Sequence, residues 1–280
     1  MERELRHTAS RWLGEGRAAV VVEVLQALGS APREAGTRVL LSVDEALGTI
    51  GGGHLELKAI ARGREMLRTR ERAPHTAHFP LGPALGQCCG GAVTLSYTVL
   101  AADTLARWPA PAPRFHLQLY GAGHVGRAIA TLLATLDIRV DWIDEREHEF
   151  PATTTLGTEW PAHIRRVCVD AVEAEVRVAP PGAFYLVLTH DHELDLRITE
   201  AVLRRADFAY LGLIGSKTKR ARFEHRFEQR GVPLDAIARM TCPIGIGSAH
   251  GKEPEVIAVG VVAQLLQQIA GVADGRAPGA

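Results

Sequence analysis

Two adjacent cysteines in a glycine-rich segment are the most reactive side chains that the sequence offers. Cys88 and Cys89 follow Gln87 and precede Gly90 and Gly91. A thiol near backbone N–H groups has a lowered pKa and can act as a nucleophile, a sulfur carrier or a soft metal ligand. Because neighbouring side chains of an extended chain point to opposite sides, we expect one cysteine to carry the chemistry while the other packs. The alternative is a purely structural pair.

A glycine fingerprint in the second half of the chain is the next candidate. Gly121, Gly123 and Gly126 have the G-x-G-x-x-G spacing between an apolar run and a helical pattern. Such glycines allow a tight turn, close approach of the backbone to a phosphate and packing of helix on strand. His124 lies inside this loop and could donate a hydrogen bond to a phosphate. The pattern predicts nucleotide-like binding, and a tight turn without a ligand is the alternative.

An acidic residue follows the fingerprint at about the distance of the one that binds a ribose hydroxyl in dinucleotide-binding proteins. This residue is Asp144, the last of the apolar run IRVDWID. Arg146 comes two residues later, where it would favour a phosphorylated ligand or be a solvated surface charge. The sequence therefore predicts that Asp144 contributes to cofactor binding.

Three further segments could contact a ligand. Gly51–Gly53 precede a predicted helix, which indicates either close approach of an anion to the helix N-terminus or a tight packing corner. The loop Thr189–Asp195, with His190, follows a buried run; ligand or partner contact is favoured there over metal binding. Lys217 begins a helix together with other cations that oppose the helix dipole, so either an anionic ligand relieves the conflict or the basic turn is solvated.

The elements that must position these residues divide into two domains. The proline-rich segment RWPAPAPR predicts a linker at 107–114, since proline interrupts both helices and central strands. Residues 1–106 read as a small α+β domain with β-rich runs around one helix from about His54 to Leu67. In 115–280, short apolar runs alternate with helical patterns, which predicts a Rossmann-like, doubly wound parallel sheet. A last apolar helix, at about Pro254 to Ile269, should pack on the sheet or on a partner. The predicted fold class is α/β.

Composition narrows the range of partners. The 280 residues contain 32 Lys and Arg against 32 Asp and Glu, so there is no net charge to attract nucleic acid. Neither a secretory signal nor an apolar run of roughly 20 residues is present, which predicts a cytoplasmic protein that does not enter a membrane. The four cysteines lack zinc-site spacing and are interpreted as reduced thiols.

Taken together, the motifs resemble the xanthine dehydrogenase accessory protein family, also called the XdhC/CoxI family, over nearly the whole chain. The segments that carry the resemblance are Gly29–Arg33 with Gly36, Gly51–Glu56, Gln87–Gly91, Tyr120–Gly126, Leu188–Asp191, Gly212–Lys217 and Cys242–Gly247.

The resemblance implies a maturation factor, not an enzyme. Such a protein binds the molybdenum cofactor (molybdopterin), supports its sulfuration with a cysteine desulfurase, and passes it to apo xanthine dehydrogenase or a related molybdenum hydroxylase. The cofactor is a phosphorylated pyranopterin dithiolene, so its phosphate would rest on Gly121–Gly126 or on Gly51–Gly53. The family pattern commonly has one cysteine before the glycines, so we expect Cys89 near the molybdenum, with Cys88 as the second choice.

Two other functions are compatible with parts of the sequence. One is an NAD(P)-dependent oxidoreductase with Asp144 on the ribose, and the other is a noncatalytic nucleotide-sensing protein. Neither explains a glycine-flanked thiol pair on a separate domain. A homodimer is also expected, because the edge strands of a small N-terminal domain need cover.

Overall fold

The computed structural model describes residues 2–81, 91–109, 112–155, 157–246 and 251–273. The chain forms two compact units, Met1–Pro111 and Ala112–Ala280, and the division falls within the proline-rich segment. Within the described ranges, no helix is both long and apolar enough to span a membrane.

The first unit is built around an antiparallel sheet of five strands among its described residues, in the order β3-β2-β1-β5-β4. Consecutive residues of the central strand face opposite sides, and both sides are covered. Val20, Val22 and Val24 pack with Leu55 and other residues of helix α2, whereas Val21 packs with Trp12 of helix α1. The strands are β1 (Val20–Leu28), β2 (Arg38–Leu41), β3 (Ala46–Gly48), β4 (His75–Pro80) and β5 (Ala92–Val99), and the helices are α1 (Glu2–Gly14), α2 (Gly53–Thr69) and α3 (Ala102–Arg107).

The prediction of a single helix in this unit is wrong, although the helix predicted near His54–Leu67 is confirmed as α2. The sequence signal for helix α1 is weak because only Leu5, Ala9 and Trp12 are buried on it, and charged side chains occupy most of the remaining surface. Such a narrow apolar stripe is a weak periodic signal. The described part of the unit therefore contains three helices, of which α1 and α3 were not expected.

The second unit confirms the predicted α/β class. Its described part contains a six-stranded, wholly parallel sheet in the order β11-β10-β9-β6-β7-β8. The strands are β6 (His116–Tyr120), β7 (Arg139–Asp144), β8 (Ile164–Cys168), β9 (Phe184–Val187), β10 (Tyr210–Leu213) and β11 (Met240–Thr241). The helices are α4 (His124–Leu133), α5 (His192–Arg205), α6 (Lys217–Gln229), α7 (Leu234–Ala238) and α8 (Pro254–Ala273).

Helices cover both faces of the parallel sheet. Residues of α5, α6 and α7 pack on one face, and residues of α4 and α8 pack on the other, so the predicted last helix does pack on the sheet. The chain runs outward from β6 through β7 to β8, and then outward in the opposite direction from β9 through β10 to β11. The strand order therefore reverses between β6 and β9, and ligands of doubly wound folds bind outside the carboxyl ends of the strands at such a point.

Candidate functional site

The carboxyl edge of the parallel sheet brings together most of the residues predicted for the second half of the chain. Gly121–Gly126 follow β6, Asp144 ends β7, Thr189–Asp195 follow β9, and Lys217 begins the helix after β10. The glycine loop lies directly at the reversal of strand order. This edge is the candidate functional site of the second unit.

The three glycines of the loop have different roles. Gly121 has φ +115°, and a Cβ atom there would collide with the carbonyl oxygen of Leu188. A Cβ atom on Gly126 would collide with the carbonyl oxygen of Gly121. Gly123 has an ordinary φ of −69°, and a Cβ atom there would meet nothing within 4 Å. Gly121 and Gly126 are therefore required by packing, whereas Gly123 leaves open space in front of helix α4.

Helix α4 differs from the two neighbouring helices that begin at the same edge. Asp191 caps α5 by accepting hydrogen bonds from the amides of Glu193 (2.6 Å) and Leu194 (3.1 Å). Ser216 caps α6 in the same way, at 3.2 Å from the Lys219 amide. The N-cap of α4 is Gly123, which has no side chain to offer. First-turn N–H groups have no acceptor within their own helix, and those of α4 lack the side-chain cap that α5 and α6 have.

Asp144 lies at the predicted position, but its carboxylate is already fully used. Oδ2 accepts from the Ala122 amide at 2.7 Å and from Arg146 Nη2 at 2.9 Å, and Oδ1 accepts from Arg146 N and Nε, both at 2.9 Å. The residue is 4% exposed. Burial by itself would raise the pKa of Asp144, but the hydrogen bonds from Arg146 and Ala122 outweigh it, so this pKa is lower than usual. Ribose binding by Asp144 stays a prediction, and it would require some of these hydrogen bonds to be displaced.

A second arginine holds the other side of the same loop. Arg127 Nε lies 2.9 Å from the carbonyl oxygens of Ala122 and of Glu149, and its Nη2 pairs with the Glu149 carboxylate. Glu149 also contacts Arg146 at 3.3 Å. Both polar groups of the Ala122 backbone are thereby bound, which fixes the glycine loop in place.

The cations at the start of α6 are mostly neutralised by the chain itself. Lys219 Nζ binds the buried Asp195 carboxylate at 2.6 Å and the carbonyl oxygen of Ile214 at 2.9 Å. Asp195 also accepts from the amide (2.9 Å) and hydroxyl (2.7 Å) of Thr189, so the segments after β9 and β10 are joined. For Lys219, the expected conflict with the helix dipole is thus relieved without a ligand. Lys217 remains exposed.

The loop predicted at Thr189–Asp195 is shorter than expected, because α5 already begins at His192. The acidic first turn that was interpreted as loop is the capped start of this helix. His190 is exposed, with Nε2 3.7 Å from Glu145 Oε1 in the segment after β7. Among the residues that the structure describes, no three His, Cys, Asp or Glu side chains are grouped as a metal site.

At the Gly51–Gly53 loop of the first unit, the backbone amides are bound by a side chain of the helix that follows, α2. One oxygen of Glu56, Oε2, accepts from the Thr49 hydroxyl (2.6 Å) and from the amides of Ile50 (2.9 Å) and Gly52 (3.1 Å). A Cβ atom on Gly51 would collide with Pro32. Gly51 therefore packs tightly against Pro32, and anion binding at this loop stays a prediction. Two amides that an incoming anion would use are already bound to Glu56, a residue that the sequence reasoning did not single out.

The cysteine segment itself, with Gln87, Cys88, Cys89 and Gly90, lies outside the described residues. The described residues on either side of the undescribed stretch are held together: the Leu81 amide donates to the Gly91 carbonyl oxygen at 2.7 Å. A Cβ atom on Gly91 would collide with the Leu28 carbonyl oxygen and lie 2.7 Å from that of Ser30. Segment 29–33 is thus in contact both with Gly91 and, through Pro32, with Gly51. The ends of three motifs of the first unit meet at this place.

Known families and structures match both units. Residues 117–265 match the XdhC Rossmann domain, and residues 12–80 match the XdhC and CoxI family. The chain belongs to the XdhC and CoxI family. The resemblance drawn from the motifs is thereby confirmed.

Two individual proteins show the extent of the similarity. The uncharacterized protein YqeB of Escherichia coli (strain K12) is 29% identical over 259 residues, which cover 88% of this chain and 43% of YqeB. The chain therefore spans less than half the length of this relative. The crystal structure described as a xanthine dehydrogenase (BH1974) from Bacillus halodurans has a TM-score of 0.77 and 19% identity, covering 99% of this chain and 98% of that one. At this identity the likeness establishes the fold.

Proposed function

We propose that this protein binds the molybdenum cofactor as cargo, supports its sulfuration together with a cysteine desulfurase, and delivers it to xanthine dehydrogenase or a related molybdenum hydroxylase. The observation that carries the proposal is the uncapped N-terminus of α4 behind the open position at Gly123. Membership in the XdhC and CoxI family supports the choice of cargo and of client enzyme.

The phosphate of the cofactor is assigned to the loop Gly121–Gly126. The first-turn amides of α4 and the positive end of its dipole both attract an anion, and no side chain of Gly123 stands in the way. The loop Gly51–Gly53 is the weaker choice because Glu56 already supplies a negative charge and accepts its hydrogen bonds. His124 and Lys217 are exposed at the same edge as the favoured loop and offer further donors.

The molybdenum end is assigned to the cysteine segment of the first unit. A thiolate is a soft ligand of the kind that binds a sulfur-rich metal centre. Cys89 directly precedes Gly90 and is the preferred ligand, with Cys88 second. The role is binding and hand-over, so the chain needs no catalytic residue of its own. A homodimer would use β3 or β4, which are the edges of the first sheet.

Anaerobic titration of the purified protein with molybdenum cofactor, followed by molybdenum analysis, tests this proposal. We expect stoichiometric binding that Cys89→Ala weakens by at least about tenfold, because one ligand of the metal is lost. Cys88→Ala shows whether the choice of thiol is right. Cys168→Ala is the matched control, since Cys168 is an exposed free thiol of the second unit. No binding by the intact protein would contradict the proposal.

A further inference from the structure

The ribose-recognition position of the second unit is closed by a neighbouring side chain. In dinucleotide-binding folds, the acid at the end of the second strand accepts hydrogen bonds from ribose hydroxyls. Asp144 occupies that position, but it already has four donors, three of them from Arg146. A carboxylate offers about four lone-pair sites, so none remains for a sugar.

Opening this position would be unfavourable. A ribose would replace charged guanidinium donors by neutral hydroxyls, and charge-assisted hydrogen bonds are roughly twice as strong as neutral ones. Asp144 is almost completely buried, so solvent does not compensate for a lost donor. Arg146 also forms an ion pair with Glu149, which in turn forms an ion pair with Arg127 of helix α4. The pair therefore belongs to a network that is anchored on both sides of the glycine loop.

We propose that Arg146 is a specificity-determining residue that excludes NAD(H) by occupying the ribose acceptor Asp144, so that the loop Gly121–Gly126 takes a phosphate-bearing ligand without recognising a ribose diol. The inference rests on the proposed function only in treating this loop as the ligand site. It requires no molybdenum cofactor for its test. Its failure is therefore distinguishable from failure of cofactor binding.

Titration of the full chain with NADH, followed by fluorescence, provides the test. Wild type should bind NADH weakly, and Arg146→Ala should bind it at least about tenfold more tightly, because the freed carboxylate accepts from the ribose hydroxyls. The double variant Arg146→Ala, Asp144→Asn should lose this gain in NADH affinity, because the negative acceptor is gone. Its amide oxygen can still accept the hydrogen bond from the Ala122 amide, so the glycine loop keeps that contact. NADPH should gain less than NADH, because its 2′-phosphate would face the freed carboxylate.

Arg165→Ala is the matched control. Arg165 Nε binds Oδ1 of Asp141, three residues before Asp144 in the same strand, at 2.8 Å, so its removal also takes a guanidinium donor from a buried carboxylate, but away from the glycine loop. This variant should bind NADH as wild type does. Four results would each overturn the proposal. They are tight NADH binding by wild type, an unchanged NADH affinity in Arg146→Ala, a gain in NADH affinity that persists when Asp144→Asn is added, and an equal gain in affinity for NADPH. Circular dichroism establishes that the variants compared are folded.

Discussion

Two glycine loops of this protein, Gly51–Gly53 and Gly121–Gly126, lead into a helix, and they differ in what occupies the helix N-terminus. At the loop Gly51–Gly53, the carboxylate of Glu56 points back from the first turn of α2 and accepts hydrogen bonds from the amides of Ile50 and Gly52. In the loop Gly121–Gly126, Gly123 provides no cap, and the position in front of α4 is open. The comparison shows that a glycine run marks a possible anion site only where the chain does not supply its own acceptor.

The largest expected effect separates the structural glycines from the open one. Gly126→Ala should destabilise the second unit by about 3 kcal/mol or more, because the new Cβ collides with a backbone carbonyl that cannot move aside. Gly123→Ala should cost about 1 kcal/mol or less, because alanine is a poorer N-cap than glycine but meets no steric conflict here. Urea denaturation followed by tryptophan fluorescence, to which Trp142 and Trp160 of the second unit contribute, measures both. Equal losses would mean that Gly123 is also required by packing.

A similar contrast is expected at the start of α6. Lys219→Met leaves the buried Asp195 carboxylate without its cation and should cost about 3 kcal/mol of stability. Lys217→Met changes an exposed side chain two residues away and should cost no more than about 0.5 kcal/mol. Thermal unfolding of the two variants checks the difference. A stability loss in Lys217→Met comparable to that in Lys219→Met would show that Lys217 also stabilises the start of α6.

Removing Glu56 should free amides at the loop Gly51–Gly53, so that this loop, like Gly121–Gly126, can bind an anion. Glu56→Ala leaves the amides of Ile50 and Gly52 without their acceptor and should destabilise the first unit by about 2 kcal/mol. Sulfate should restore part of that stability by binding the freed amides, whereas it should not do so for the first unit of wild type. Thermal scans with and without sulfate test this. If sulfate had no selective effect on the variant, the loop would be a packing corner only.

Acid should weaken the second unit through Asp141. Burial opposes ionisation of Asp141, but hydrogen bonds from His116 and Arg165 hold its pKa at about 2, below the ordinary 3.8. The resulting stability, about 2 kcal/mol, is present above the ordinary value and is lost as pH falls from about 4 towards 2. Asp144, whose pKa is also lowered, contributes with the same sign. Urea unfolding between pH 5 and pH 2 should show a flatter profile for Asp141→Asn, and an unchanged profile would contradict this assignment.

The sequence predicted the second unit better than the first. Strand-helix alternation and the spacing of Gly121, Gly123 and Gly126 report directly on backbone geometry, and Asp144 lies where the fingerprint predicts it. The pairing of Arg146 with Asp144 was missed because side-chain partners are not encoded in spacing alone. In the first unit, the closure by Glu56 depends on a side chain folding back over the preceding loop, and the only sequence signal was an acid one turn after the glycines.

The most direct test of the central claim compares molybdenum cofactor binding by wild type, Gly123→Ala and Gly14→Ala. Gly14, at the end of α1, is the matched control because a Cβ atom there also meets nothing within 4 Å. We expect Gly123→Ala to stay folded but to bind the cofactor at least about tenfold more weakly, since the new methyl group occupies the approach of the phosphate to α4. Gly14→Ala should bind as wild type does. Wild-type affinity in Gly123→Ala would contradict the assignment of the phosphate to this loop.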